Sequence, residues 1–78
     1  MIAGMYDRLS TIFEEVFEYD GPVTEATVAS DVEGWDSMGH IRLMITVEDS
    51  FGISFSASEV GGLKNVGELA RLIESKVG

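Results

Sequence analysis

The chain has 78 residues, 14 acidic and 5 basic side chains, a net charge of −9, no cysteine, and 45% apolar residues. That length supports one domain, spanning residues 1–78, and the apolar share argues against intrinsic disorder. The lack of thiols excludes disulfides and thiolate metal sites, and the acidity argues against nucleic acid as a partner, because it repels phosphate backbones. Acidity favours basic partner surfaces and also aids solubility; composition does not separate the two. Met1-Ile2-Ala3-Gly4-Met5-Tyr6-Asp7 lacks the positive charge and long apolar run of a signal peptide. No apolar run approaches the ~20 residues that span a bilayer. The expectation is a soluble, cytoplasmic monomer without membrane insertion.

The first pattern along the chain is Met5, Leu9, Ile12, Phe13, Val16 and Phe17, at helical spacing. It predicts a helix over about residues 4 to 18, ended by Asp20-Gly21-Pro22. Residues 20–36 form a long connection in which Val23, Ala26, Val28, Ala29 and Val32 are scattered among polar residues. Connections this long are uncommon in compact domains, so the apolar residues predict a loop packed down on the core. The second helix runs from about Ser37 to Phe51, with Asp36 as N-cap and Gly52 as its stop. Ser56-Ala57-Ser58-Glu59 has the form of a capping box and opens a very short helix that Gly61-Gly62 ends. A final helix over about residues 66 to 76 follows Asn65, with Val66, Leu69, Ala70, Ile73 and Val77 on one stripe. No strand alternation is sustained. The fold class is all-α: a small right-handed-type bundle of three main helices plus one short one, with a long loop between helices one and two.

The second helix carries two apolar stripes at about 100° per residue. Leu43, Met44, Val47 and Phe51 form one; Met38, Ile41 and Ile45 form the other. A helix on a small bundle needs one stripe for its core. The first is therefore assigned to the core, and the second to a surface beside Ser37 that suits docking by partners. The competing expectation is that the long loop folds over the second stripe.

Gly34-Trp35-Asp36-Ser37-Met38, at the start of this helix, resembles the Asp-Ser-Leu motif of the acyl carrier protein family. The downstream run Glu48-Asp49-Ser50-Phe51-Gly52-Ile53 is similar to the segment that follows it in that family. The resemblance implies that Ser37 is the attachment point for a 4′-phosphopantetheine arm, with Asp36 capping the helix and Met38 completing the motif. It implies a phosphopantetheinyl transferase as partner, using coenzyme A and a divalent cation, then an acyl- or aminoacyl-activating ligase and acyltransferases. It also implies a thioester-bound cargo, fatty acyl, polyketide or other, and a partner face made of Ile41, Arg42, Ile45 and Glu48. A helix N-terminus suits the incoming phosphate, because its free amides carry partial positive charge. Gly39 and Arg42 stand where fatty-acid-synthesis carriers usually have acidic residues, which points to a dedicated partner set. Trp35 has the same flavour, since Trp-Asp-Ser is frequent in stand-alone carriers; simple packing of the loop explains it equally well. The alternatives are an aminoacyl- or peptidyl-type carrier and an unmodified helical interaction module.

Two other chemistries fail on residue pattern. Ser37 and His40, the single histidine, could form a nucleophilic pair. The i,i+3 spacing rarely aligns hydroxyl and imidazole, however, and no third group, Gly-rich turn or oxyanion hole accompanies them. The expectation is that the protein is not an enzyme and that His40 lines the junction of core and loop or touches the arm. Asp31, Glu33 and Asp36 cluster in the loop, but an EF-hand counted from Asp31 would need an oxygen ligand at the position of Arg42. No dedicated metal site is expected.

Overall fold

A computed structural model describes residues 4–77. Met1, Ile2 and Ala3, part of the segment read for a leader, lie outside the described residues, as does Gly78. Four α-helices follow in order: α1 (Met5–Phe17), α2 (Ser37–Phe51), α3 (Ala57–Gly61) and α4 (Val66–Val77). A single 3-10 turn, Ala29–Asp31, interrupts the connection from α1 to α2. Among the described residues there is no strand.

The apolar stripes do what their spacing dictates. Leu9, Ile12 and Phe13 of α1, Leu43, Met44 and Val47 of α2, and Val66, Leu69, Ala70 and Ile73 of α4 bury into one core. One position assigned to the core differs. Phe51 is half-buried at the rim, its ring under the Arg8 guanidinium at 4.0 Å. The same guanidinium donates to the Ser50 carbonyl at 2.7 Å, satisfying an acceptor at the end of α2. Val77, on the last turn of α4, is 40% exposed, because the helix has run past the bundle.

α1 ends earlier than its Gly-Pro sequence suggests. Glu18 already takes the left-handed conformation (φ 55°), and the Tyr19 amide donates back to the Phe13 carbonyl at 3.4 Å. This turn carries Tyr19 onto Phe13, with ring centroids 6.4 Å apart. Asp20-Gly21-Pro22 lies beyond the stop.

The long connection is packed down, through fewer residues than expected. Val23 and Val32 are buried and Val28 is half-buried, whereas Ala26 and Ala29 are exposed. Thr27, a polar residue, is buried; its hydroxyl accepts from the Thr24 amide at 3.0 Å. The loop also caps α4. Val66 N–H donates to the Thr27 carbonyl at 2.9 Å, and Gly67 N–H to the Glu25 carbonyl at 3.0 Å. A Cβ at Gly67 would stand 3.0 Å from that carbonyl, so the loop approaches this closely because the side chain is absent.

α3 has no fully buried residue; it is held by half-buried Val60 against the core and by polar contacts. Ser56 Oγ accepts from Glu59 N–H at 3.2 Å, while Glu59 Oε1 accepts from Ser56 N–H at 2.8 Å. Lys76 of α4 pairs with Glu59 at 2.9 Å. The Ser56 amide, then Lys76, hold the Glu59 carboxyl below an ordinary glutamate's 4.5. The box is therefore complete at neutral pH and weakens as pH falls through the carboxylate range.

The two stripes of α2 differ in what their removal costs. Leu43→Ala, at a site with no solvent exposure, is expected to lower unfolding stability by ~2–5 kcal/mol. Ile45→Ala, on the exposed stripe, is expected to change it by less than ~1 kcal/mol. Urea denaturation of both variants measures the difference; equal losses would contradict the exposed assignment.

Candidate functional site

The geometry around Ser37 is set by the residues flanking it. Asp36 is extended (φ −107°, ψ −165°) and caps α2: its Oδ1 accepts from Gly39 N–H at 2.8 Å, and its carbonyl from His40 N–H at 2.7 Å. Among the described residues the amides of Ser37 and Met38 take no protein acceptor, and the Ser37 hydroxyl has no partner. Ser37 is exposed. The result is an unencumbered hydroxyl at the positive end of a 15-residue helix.

Gly39 turns this part of the helix inward. It is buried, and a Cβ there would run into the Gly34 carbonyl oxygen and stand 2.9 Å from Phe17 Cε1. The family resemblance puts Gly39 on the front of the helix, where an acidic residue is usual. The structure corrects this: the position faces the loop and α1, where a carboxylate would not fit.

Met38, Ile41 and Ile45 are 77%, 55% and 53% exposed. The loop does not fold over this stripe. It instead sends Trp35 to the opposite side, where its ring packs edge-on to Phe13 at 5.2 Å and stacks near Phe17 at 6.2 Å. The packing role of Trp35 is thus present in the structure. Arg42 is exposed but reaches back to α1, donating to the Val16 carbonyl at 3.3 Å. Glu48 is half-buried and its carboxylate accepts from Phe55 N–H at 2.8 Å, folding the segment after α2 back on the helix.

His40 sits at the junction of loop, α2 and α3. Its Nδ1 accepts from Trp35 Nε1–H at 2.9 Å, and its Nε2 lies 2.8 Å from the Val60 carbonyl. Both ring nitrogens are occupied, so the ring offers no free base to the Ser37 hydroxyl.

Beside Ser37 runs a groove of about 340 Å³ whose walls include Trp35, His40, Val60, Leu63 and Lys64. Val60, Leu63 and Lys64 lie more than twenty residues downstream of Ser37, and no local sequence pattern marks them. Lys64 is the cationic residue of the groove. A larger cleft of about 680 Å³ lies elsewhere, between the end of α1, Gly34 and Arg42, rimmed by Glu18, Asp20, Asp31 and Glu33. The loop carboxylates do not converge on a metal: Asp31 accepts from Val28 N–H and Asp36 from Gly39 N–H. Among the described residues no group of three or more His, Asp or Glu side chains could hold one.

The chain matches the family model described as "Phosphopantetheine attachment site" over residues 7–73. It is also similar to a solution NMR structure of holo acyl carrier protein from Geobacter metallireducens. The two share 37% sequence identity, with 95% of this chain and 86% of that chain covered and a TM-score of 0.85. No curated protein matches it in sequence.

The contact at Gly39 is directly testable. Gly39→Ala is expected to destabilise the fold by ~1–3 kcal/mol, as overpacking does. Gly61→Ala, where a Cβ would meet nothing within 4 Å, is expected to be neutral or to stabilise by up to ~1 kcal/mol. Thermal unfolding of the two variants compares them.

Proposed function

Because the chain belongs to the phosphopantetheine attachment site family, we propose that it is an acyl carrier protein whose 4′-phosphopantetheine arm is joined to Ser37. One observation carries the assignment of the residue. Within the matched segment, Ser37 presents an exposed, unpartnered hydroxyl at the head of a capped helix. The surroundings fit a phosphodiester: the open amides of Ser37 and Met38 and the Lys64 side chain along the groove all favour an anion. When attached, the arm supplies the terminal thiol that a chain without cysteine lacks, and so carries cargo as a thioester. The protein itself is a shuttle and not an enzyme.

The residues around the serine divide the remaining work. Asp36 holds the first turn and so presents Ser37 to a phosphopantetheinyl transferase that uses coenzyme A. Met38, Ile41 and Ile45 form an apolar strip next to the attachment point, suited to docking a transferase, an activating ligase or an acyltransferase. Arg42 lies beside that strip and gives it a positive charge where housekeeping fatty-acid carriers are acidic. This supports a specialised partner set. Glu48 is committed to Phe55 N–H and contributes to that face chiefly by shaping the segment that follows α2.

Intact-mass measurement with coenzyme A and a broad-specificity transferase tests the assignment. The wild type is expected to gain one phosphopantetheine and Ser37→Ala none, with Ser50, Ser54, Ser56 and Ser58 as internal controls. Modification of the Ala variant would overturn the site, and an unmodified wild type would favour a helical interaction module.

Arg42 sets a second test. Like charges at a docking rim slow association, and salt weakens the effect. Arg42→Glu is expected to raise the rate of transfer by fatty-acid-synthesis enzymes several-fold at low ionic strength and much less at high. Equal rates for wild type and variant at low salt would remove Arg42 from partner choice.

A further inference from the structure

The hydrogen bonds of His40 are compatible with one state of its ring. The indole N–H of Trp35 only donates, so the Nδ1 it reaches at 2.9 Å must present a lone pair. The Val60 carbonyl only accepts, so the Nε2 that lies 2.8 Å from it must carry the proton. The ring is therefore neutral and Nε2-protonated. It ties three elements together: the loop through Trp35, α2 through its own backbone, and α3 through a carbonyl in the last turn of that helix. α3 has no fully buried residue, and this bond adds to the packing of half-buried Val60 in holding its end against α2. On the loop side, the Trp35 and His40 rings lie close to one plane, with centroids 6.1 Å apart and 18° between them, as an edge-to-edge N–H···N bond places them.

A second proton on the ring would turn Nδ1 into a donor facing the indole N–H. The Trp35 bond would be lost, and two N–H groups would be set against each other. The nearby carboxylates already accept from other donors. Asp36, which lines the same groove, is committed to Gly39 N–H. Glu59, next to Val60 on α3, is committed to Ser56 N–H and Lys76. Lys64, in the connection from α3 to α4, is cationic, and α1 brings the uncharged rings of Phe13 and Phe17 onto Trp35.

We propose that His40 is a positioning residue: its neutral ring latches the Trp35 loop and α3 to the first turn of α2, and protonation opens the latch and slows modification of Ser37. The link to Ser37 is short. Trp35 precedes the Asp36-Ser37 pair, His40 follows Ser37 by three residues on the same helix, and all four line one groove. Release of Trp35 loosens the segment that a modifying enzyme must recognise. The effect on modification rests on Ser37 being the attachment point; the latch itself does not.

The chain contains one tryptophan and one histidine, so the unmodified protein reports on the pair directly. The Trp35 indole N–H and the His40 ring would be followed by NMR between about pH 8 and 5, where imidazoles exchange their proton. The indole signal and the Val60 and Gly61 amides are expected to move on the same curve as the His40 ring. The initial rate of Ser37 modification would be measured over the same range for wild type and His40→Gln, whose amide both accepts and donates but does not titrate. Their ratio under one transferase cancels that enzyme's own pH dependence. It is expected to fall by about fivefold as His40 protonates, the worth of one neutral hydrogen bond. An indole signal that stays still while His40 titrates would overturn the latch, with no variant needed. A ratio constant with pH would overturn its effect on modification. A moving indole signal in a protein never modified at Ser37 would instead strike at the carrier assignment and leave the latch standing.

Discussion

The placement of Ser37 depends on the close approach of α2 to the loop before it. Gly39 has no side chain, so the first turn of α2 rests on the Gly34 carbonyl and the edge of Phe17. Gly34 itself takes a positive φ of 91°, which lets its carbonyl face the helix. Once that contact is made, helical geometry settles the rest. Leu43, Met44 and Val47 must point to the core, and Ile41 and Ile45 must point away. Ser37, two residues before Gly39, is carried to the exposed side, where a modifying enzyme can reach it.

The long connection is as much a part of the scaffold as the helices it joins. A loop of this length would be costly to order if it only spanned a distance. Here its backbone carbonyls take up the free amides of Val66 and Gly67, and Val23, Thr27 and Val32 fill space between helices. Its last residues place Trp35 on Phe13. α3 is secured differently, by a capping box, an ion pair to α4 and the His40 bond to Val60. Such polar contacts exchange readily with water, so α3 is the element expected to open at least cost. It also walls the groove beside Ser37.

Charge is distributed with the same economy. Several acidic groups are engaged in local backbone contacts: Asp31, Asp36, Glu48, Glu59 and Glu68 each accept from a main-chain N–H. These bonds leave the charges in place, within a net charge of −9, and fix where they sit. Arg8 and Arg42 are likewise turned back, to the Ser50 and Val16 carbonyls, so both cations help hold helix ends. The apolar strip of Met38, Ile41 and Ile45 is correspondingly the clearest feature of the surface next to Ser37.

Much of this was legible in the chain. Helix periodicity located the three long helices, and the bounds of α2 agree with the expectation, because Asp36 and Gly52 are strong local signals at its two ends. The capping box of α3 was readable for the same reason: its partners are three residues apart. The Asp-Ser motif and its context identified the family. The end of α1 agrees with the expectation to within a residue, although the left-handed turn at Glu18 that makes it is not advertised by the residue type, and Phe51 lies shallower than its stripe implies, because periodicity does not say where a bundle stops. Tertiary structure alone decided that Gly39 is a packing residue and not a missing charge, that Glu48 serves the Phe55 amide, and that Val60, Leu63 and Lys64 complete the groove. It also decided that His40 is held between an indole and a carbonyl. The physical reason is common to these cases. Local sequence encodes interactions within one or two turns of chain, whereas these contacts join the loop, α2, α3 and the segments around them, and exist only once the bundle has brought those elements together.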